Sequence, residues 1–311
     1  MRRLNQLSAS LLSAVAVLLV MSVCTGATRA ADQPQAGGAA SRKAAVKPID
    51  NPKVRKTALV MLGTNDDWHM RPEQVDAFAG LLTGFCKLSA HLSSKPADFA
   101  IDNTRKYDLI VLYSAFYTWD KVKKQKDGSM ITALENVFKA VEAGTPLLSV
   151  HGGVYNTTID GRPENIKPGP EVHEIERQIG AKYVYGPHYP FQEFTINVGK
   201  EHPITKGVTD FMVADEFYRL EMLDPGAEVL ATYDARSVAK GDPEKPGANK
   251  EAILESVTWG STRPKAPVLY TRIYGKGKIV VNILGHDERS LRNPSVVQLY
   301  KQSLEWLFDG R

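Results

Sequence analysis

Three short apolar runs, separated by amphipathic segments, constrain the fold of this chain more than any other feature. The runs are Lys56–Leu62, Tyr107–Tyr113 and Leu147–Val150. Between them, Pro72–Leu88 and Met130–Glu142 repeat apolar residues at the spacing of one helix face. Strands that alternate with helices predict a parallel sheet, in which each strand is covered on both faces. The first half of the chain therefore predicts an α/β fold.

The second half of the chain predicts further strands and a closing helix. The strand-like runs are Phe191–Val198, Glu228–Tyr233, Pro267–Tyr274 and Lys278–Leu284. A glycine-rich triplet joins the last two runs and is typical of a hairpin turn. Asn293-Pro294 is typical of a helix start. We therefore expect antiparallel strands beside the parallel ones.

The N-terminal residues differ in composition from the rest of the chain. Residues 1–30 combine an arginine pair, an apolar stretch and a small-residue cleavage site, which is the pattern of a secretory signal peptide. Residues 31–53 lack hydrophobic periodicity and predict a disordered linker, so that the folded domain spans residues 54–311. We expect a periplasmic or secreted protein with the leader cleaved, and an uncleaved anchor is the alternative.

Charge, cysteine content and the loss of the leader make three properties unexpected: nucleic-acid binding, an intramolecular disulfide and a stable membrane span. Loss of the leader arginines lowers the formal net charge from +4 to +1, which gives no support to nucleic-acid binding. Cys24 lies in the leader, so Cys86 is the only mature cysteine and no intramolecular disulfide is expected. The cleaved chain is also expected to have no stable membrane span.

The tripeptide His151-Gly152-Gly153 directly follows the apolar run Leu147–Val150. In open α/β sheets ligands bind beyond the carboxyl ends of strands, and glycines there let the backbone approach a ligand closely. The sequence therefore predicts an exposed reactive turn, with His151 directed into a crevice. The alternative is a histidine that caps an ordinary connection between a strand and a helix.

Three histidines in settings typical of strand ends or turns predict a metal site. They are His151, His188 and His286. Imidazole is the commonest protein ligand of zinc, and three such groups, or two with a carboxylate, leave a position open for water or substrate. We therefore predict a divalent metal, such as zinc, on these three side chains. Glu216 is a fourth candidate, and the alternative is that Asp215-Glu216 only caps or solvates a strand end.

Two other histidines are predicted to have no part in this site. His202 is followed by a proline in a turn before a glycine, a setting that favours a structural role. His91 is predicted to lie in a solvated turn at a helix end.

From Lys56 to Phe308 the chain resembles the trehalose-utilisation (ThuA-like) family. The matching segments are His151–Gly153, Gly186–His188 with Phe191, His202–Gly207, Asp215–Tyr218 and Leu284–Asp287. The resemblance implies the flavodoxin-like three-layer sandwich of class I glutamine amidotransferases, with a mostly parallel central sheet and antiparallel additions. It also places His151 at the elbow where an amidotransferase holds its nucleophilic cysteine. Because a histidine cannot form the same thioester, and Cys86 lies on an apolar helix face, glutaminase activity is not expected.

The family resemblance also implies a substrate class. Members are associated with the metabolism of disaccharides, including trehalose and 3-keto sugars, so we expect a small-molecule carbohydrate. The expected protein is a metal-dependent enzyme that acts on a glycoside or 3-keto-sugar, and the expected reaction is a hydrolysis, an elimination or an isomerisation. The predicted catalytic residues are His151, Glu216 and Asp287. The predicted substrate-binding residues are Gly152, Gly153, Tyr155, Trp119 and Phe191.

A different class of function stays open on the sequence alone. The same crevice would serve a noncatalytic sugar-binding or complex-forming protein, or a scaffold that has lost catalysis, because a fold does not determine a function. The aromatic residues likewise have two interpretations, since aromatic faces suit pyranose rings but most aromatics in such a chain are core. Stoichiometric metal would favour the enzyme.

Overall fold

The apolar runs of the first half of the chain form the middle of a central sheet in the computed structural model. The structure describes residues 55–62, 71–113, 119–120, 125–126, 128–154, 174–184, 189–239, 241–242, 244–245 and 250–309. The predicted leader and linker, residues 1–30 and 31–53, lie outside the described residues.

Thirteen strands occur in the part of the chain that the structure describes. They are β1 (Thr57–Leu62), β2 (Ser89–Ser93), β3 (Leu109–Tyr113), β4 (Trp119–Asp120), β5 (Gln125–Lys126), β6 (Leu147–Val150), β7 (Ala181–Tyr183), β8 (Tyr189–Val198), β9 (Phe211–Phe217), β10 (Leu220–Met222), β11 (Glu228–Tyr233), β12 (Ala266–Tyr274) and β13 (Gly277–Asn282). Nine of them form one sheet, and β4–β5 and β7–β10 form two small ribbons.

The main sheet has a parallel half and an antiparallel half. Strands β2, β1, β3, β6 and β13 lie side by side in that order and are parallel. Relative to their order along the chain this is the 2-1-3-4-5 arrangement of flavodoxin-like sheets. Strands β12, β11, β8 and β9 extend the sheet in antiparallel fashion. The expected α/β architecture, a parallel sheet with antiparallel additions, is therefore confirmed.

Seven helices accompany the strands among the described residues. They are α1 (Pro72–Gly80), α2 (Ile101–Thr104), α3 (Gly128–Glu142), α4 (Glu174–Ile179), α5 (Lys250–Ser261), α6 (Glu288–Leu291) and α7 (Pro294–Phe308). Helix α6 contacts α1 and α7, helix α3 contacts α2 and α4, and β13 is contacted by both α3 and α7. All residues of β3 and β6 are buried, which explains why these strands are continuous apolar runs. No helix in the described ranges is long and apolar enough to cross a membrane.

Local sequence signals account for the ends of several elements. The Asn293 side chain accepts hydrogen bonds from the first turn of α7, and Pro294 occupies the first helical position. The β12–β13 hairpin turns at Gly275, whose φ of +58° favours glycine. The predicted helix start and hairpin are thus both confirmed.

Two local predictions are wrong. The α-helix predicted for Pro72–Leu88 ends at Gly80. The next segment, Leu81–Phe85, is π-helical. His91 does not end a helix but lies in strand β2, where its Nδ1 atom is 2.7 Å from the Tyr107 hydroxyl. This strand is at the edge of the sheet and alternates in exposure, so it lacks the continuous apolar run of its neighbours.

Candidate functional site

The candidate site is built around the turn that follows β6. His151–Val154 form a 3-10 turn, and His151 has a positive φ of 48° although it is not a glycine. Such a strained turn directly after a strand is the elbow geometry that the sequence predicted. The predicted exposure of this turn is wrong, because all four residues are buried and His151 is only 1% exposed. The left-handed backbone lets the imidazole contact the neighbouring strand end instead of solvent.

One hydrogen bond fixes the tautomer of His151. Its Nδ1 atom lies 2.9 Å from the carbonyl oxygen of Ile283, directly after β13. Because a carbonyl can only accept, Nδ1 must carry the proton. In the neutral imidazole the Nε2 atom therefore carries a lone pair, as a metal-ligating histidine requires.

Two further side chains converge on this Nε2 atom. Glu216 Oε1, near the end of β9, is 3.2 Å from His151 Nε2. His286 Nδ1, in the loop after β13, is 2.9 Å from Glu216 Oε1 and 3.3 Å from His151 Nε2. The structure thus brings together two of the three predicted metal ligands and the predicted carboxylate. His188 lies outside the described residues.

The triangle of donor atoms has the dimensions of a metal coordination face. Metal bonds of about 2.0–2.2 Å separate neighbouring ligand atoms by about 2.8–3.1 Å in octahedral geometry and about 3.3–3.6 Å in tetrahedral geometry. The three observed separations are 2.9, 3.2 and 3.3 Å. Two imidazoles and one carboxylate on one face would leave the remaining coordination positions open. The residues present therefore fit a divalent metal ion.

Asp215 connects the two segments that carry Glu216 and His286. Its fully buried carboxylate accepts hydrogen bonds from the backbone N–H groups of Glu216 (2.8 Å), Gly285 (2.8 Å) and His286 (3.2 Å). Burial raises the pKa of Asp215 to about 7, against the lowering effect of hydrogen bonds from Ser290 and Gly285. The end of β9 is thereby joined to the loop after β13, and two candidate ligands are placed side by side.

Helices α1 and α7 hold the same loop from the other side. The Tyr300 hydroxyl donates to the carbonyl of Leu284 (2.6 Å), and Gln74 Nε2 donates to the carbonyl of His286 (2.9 Å). Both side chains are buried. Neither residue is predictable as part of the site from the sequence, because a hydrogen bond to a distant carbonyl has no signature in local spacing.

Tyr218 is a site residue that the sequence analysis did not assign. Its hydroxyl lies 3.2 Å from His151 Nε2, and its ring stacks at a tilt on the His151 imidazole with centroids 4.7 Å apart. A usable signal was present, since residues two apart in an extended chain point to the same side. Glu216 and Tyr218 have that spacing.

Asp287 and Phe191 lie beside the cluster and interact with Arg289. The Asp287 carboxylate caps α6 by accepting from the Arg289 N–H (2.9 Å) and also pairs with the Arg289 guanidinium. Burial raises the pKa of Asp287, but the hydrogen bonds and charge of Arg289 outweigh it and lower the pKa below its usual value. The same guanidinium lies over the Phe191 ring, 3.7 Å from its centroid. Phe191 is in turn 5.9 Å from the His286 ring, centroid to centroid.

The remaining predicted site residues are placed as follows. Gly152 and Gly153 are buried within the turn after β6. Tyr155 lies outside the described residues, as does the side chain of Trp119. His202 caps a 3-10 turn by accepting from the Ile204 N–H (3.1 Å), which confirms its structural role.

The fold and the cluster define a class: an α/β protein of flavodoxin-like strand order with a candidate metal centre at the carboxyl ends of its strands. The chain belongs to the trehalose-utilisation family, ThuA, whose sequence model matches residues 57–307. No curated protein matches the sequence.

Two crystal structures of ThuA-like proteins are similar to this fold. The protein from Bacteroides uniformis ATCC 8492 is 16% identical, with a TM-score of 0.54, and the alignment covers 84% of this chain and 95% of that one. The protein from Parabacteroides merdae ATCC 43184 is also 16% identical, with a TM-score of 0.54 and coverage of 83% and 91%. At this identity the likeness establishes the shared fold.

Proposed function

We propose that this ThuA-family protein is an exported, metal-dependent enzyme that acts on a glycoside or 3-keto-sugar. Its divalent metal, with zinc as the first candidate, is held by His151, Glu216 and His286. This set replaces the three-histidine set predicted from the sequence, and His188 remains a candidate for a further ligand. Export rests on the signal-peptide pattern of residues 1–30, and N-terminal sequencing of protein recovered from the periplasm or medium tests it.

The observation that supports a metal most strongly is the direction of the lone pairs. With its proton on Nδ1, a neutral His151 presents only a lone pair at Nε2, and an ionised Glu216 presents only lone pairs 3.2 Å away. Two such acceptors repel each other unless a cation or a hydrogen lies between them. A hydrogen on His151 Nε2 or on the Glu216 carboxyl would satisfy this pair alone, and the Tyr218 hydroxyl also lies within hydrogen-bond distance of Nε2. A metal ion would be shared with His286 Nδ1, which completes the same triangle.

The other residues of the site suit chemistry at a sugar carbonyl. A bound metal ion would polarise a carbonyl or hydroxyl oxygen and its water. Glu216 contacts both imidazoles, whereas the Asp287 carboxylate is held by Arg289. We therefore place proton transfer on the Glu216 oxygen that would not bind the metal, which would accept the acidic proton next to a keto group. Isomerisation, elimination and hydrolysis of a keto-glycoside all begin from such a polarised carbonyl.

Elemental analysis of the mature protein, made without a His tag, tests the metal site. The variants are His151→Ala, Glu216→Gln and His286→Ala, with His188→Ala as a test of a fourth ligand. His202→Ala is the matched control, because it removes an imidazole that caps a remote turn. We expect about one equivalent of metal in the wild type and the control, and loss of metal in the first three variants.

The opposite result separates the rival functions. Absence of metal after incubation with zinc, manganese and nickel would overturn the metal site. A histidinium paired with Glu216 would then serve a metal-free acid/base enzyme, which a panel of 3-keto-sugars would reveal by turnover. Tight sugar binding without metal and without turnover would identify a noncatalytic binding protein.

A further inference from the structure

Tyr218 is buried beside the candidate metal site and is packed between two other rings. It is 1% exposed, and besides its stacking on His151 it packs edge-on against Tyr183, with ring centroids 5.3 Å apart. Its hydroxyl oxygen is 3.2 Å from His151 Nε2, as is Glu216 Oε1. The Tyr218 hydroxyl and the two other candidate ligands, Glu216 and His286, therefore all approach the same atom, His151 Nε2.

The hydroxyl and a metal ion would compete for one lone pair. Because His151 Nδ1 donates to the Ile283 carbonyl, Nε2 accepts the hydrogen bond of the Tyr218 hydroxyl in the structure. A metal ion coordinated by Nε2 would occupy the same lone pair. The phenolic hydrogen would then be redirected, and an oxygen in an open coordination position would lie within its reach.

We propose that Tyr218 is a catalytic residue that donates a hydrogen bond to the metal-bound oxygen of the substrate. The inference rests on the proposed metal site and deepens it by naming the ligand chemistry. A buried donor stabilises an oxygen most strongly when that oxygen carries negative charge. The open position therefore favours a carboxylate or a polarised carbonyl oxygen over an ordinary sugar hydroxyl.

Cobalt-substituted protein with acetate as the probe tests this role without knowledge of the substrate. Cobalt(II) accepts the nitrogen and oxygen ligands that zinc accepts, and its visible spectrum reports both metal occupancy and acetate binding. Tyr218→Phe removes only the hydroxyl. Tyr183→Phe is the matched control, because it removes the same atom from a buried ring that packs against Tyr218.

The expected result is retention of one equivalent of cobalt in both variants. The acetate dissociation constant should rise about 10- to 100-fold in Tyr218→Phe, as for the loss of one hydrogen bond to a charged group. In Tyr183→Phe it should stay at the wild-type value. The activity on 3-keto-sugars, once found, should fall mainly through kcat in Tyr218→Phe.

Four results would overturn the inference. Wild-type acetate affinity in Tyr218→Phe would show that the hydroxyl does not contact the bound oxygen. Loss of cobalt from this variant would make Tyr218 a metal ligand, and an equal effect in Tyr183→Phe would make the effect one of packing. Failure of acetate to bind to cobalt-loaded wild type would exclude an oxyanion position. Failure of the wild type to bind cobalt would instead overturn the proposed metal site.

Discussion

Gly153 allows the packing of the turn after β6 to be tested separately from its chemistry. A Cβ atom built on Gly153 would lie 2.6 Å from the main-chain oxygen of Leu112 and 2.7 Å from Ser149 Oγ. Both distances are well below ordinary van der Waals contact, which is about 3.5 Å or more. The Leu112 oxygen belongs to β3 in the centre of the sheet, so it cannot move aside without disturbing the hydrogen bonds of that strand.

Gly153→Ala should therefore destabilise the protein by about 1–3 kcal/mol, the usual cost of overpacking a buried site. In a domain of this size each kcal/mol lowers the Tm by about 2–4 °C. The displaced turn carries His151 two residues away, so the affinity for zinc should also fall. This packing constraint accounts for the second glycine of the His-Gly-Gly segment without any contact to substrate.

Gly80→Ala is the matched control, with the opposite expected sign. Gly80 has helical angles, φ −61° and ψ −38°, and no atom within 4 Å of a built Cβ. Alanine there should stabilise the protein by about 0.5–1 kcal/mol through helix propensity. Urea denaturation of both variants measures the two changes. A Gly153→Ala variant with wild-type stability and zinc affinity would refute the steric argument.

Three further predictions address other charged or reactive groups. Asp215→Asn should weaken zinc binding about 10- to 100-fold in a chelator competition, and unchanged affinity would remove its positioning role. Burial raises the pKa of Asp108, but hydrogen bonds from Thr57 and Lys56 outweigh it and lower the pKa. The stability deficit of Asp108→Asn in urea should therefore be full at pH 7, should begin to shrink near the unfolded-state pKa of about 4, and should vanish only below the lower pKa of the folded protein. A deficit that stays constant with pH would contradict this. Burial raises the pKa of Cys86 to about 11. In the mature protein, its reaction with a thiol reagent at pH 8 should therefore be about 100-fold slower in the folded state than in the unfolded state. Equal rates would disprove it.

Three strands of the parallel half of the sheet were predictable, because a strand that is buried on both faces has a continuous run of apolar residues. β1 and β3 lie within the predicted runs Lys56–Leu62 and Tyr107–Tyr113, and β6 matches Leu147–Val150. A strand covered by helices on both sides needs apolar residues at every position. Gly63 then marks the end of the first run, and Pro146 marks the start of the third.

Elements with a mixed environment escaped this reasoning. Strand β2 alternates in exposure and contains serine and histidine, so no apolar run marks it. Helix α5 exposes Leu254 (49%) and Val257 (43%), so its apolar residues do not define one buried face. The helix that ends at Gly80 continues as a π-helical segment with apolar residues still facing the core, which periodicity alone does not separate from a longer α-helix.

The candidate site was only partly predictable for a related reason. Each of His151, Glu216 and His286 was identifiable from its setting near a strand end, but Glu216 is 65 residues from His151 and His286 is 135. Their contact depends on the Asp215 carboxylate, which joins β9 to the loop after β13. No local spacing encodes that bond. Tyr218 depends on the same bond, because it follows Glu216 on the segment that Asp215 fixes.

The conformation of His151 suits the proposed role of a metal ligand better than the role of a nucleophile. A non-glycine residue with φ near +48° costs about 1–3 kcal/mol, which the surrounding structure must offset. A nucleophile at such a turn needs an exposed atom that can approach the substrate. The His151 ring is instead buried and bound at Nδ1 by the Ile283 carbonyl, so it cannot swing outward to attack. The same bond keeps the Nε2 lone pair directed at Glu216 and His286, and a fixed lone pair is the property that a metal ligand needs.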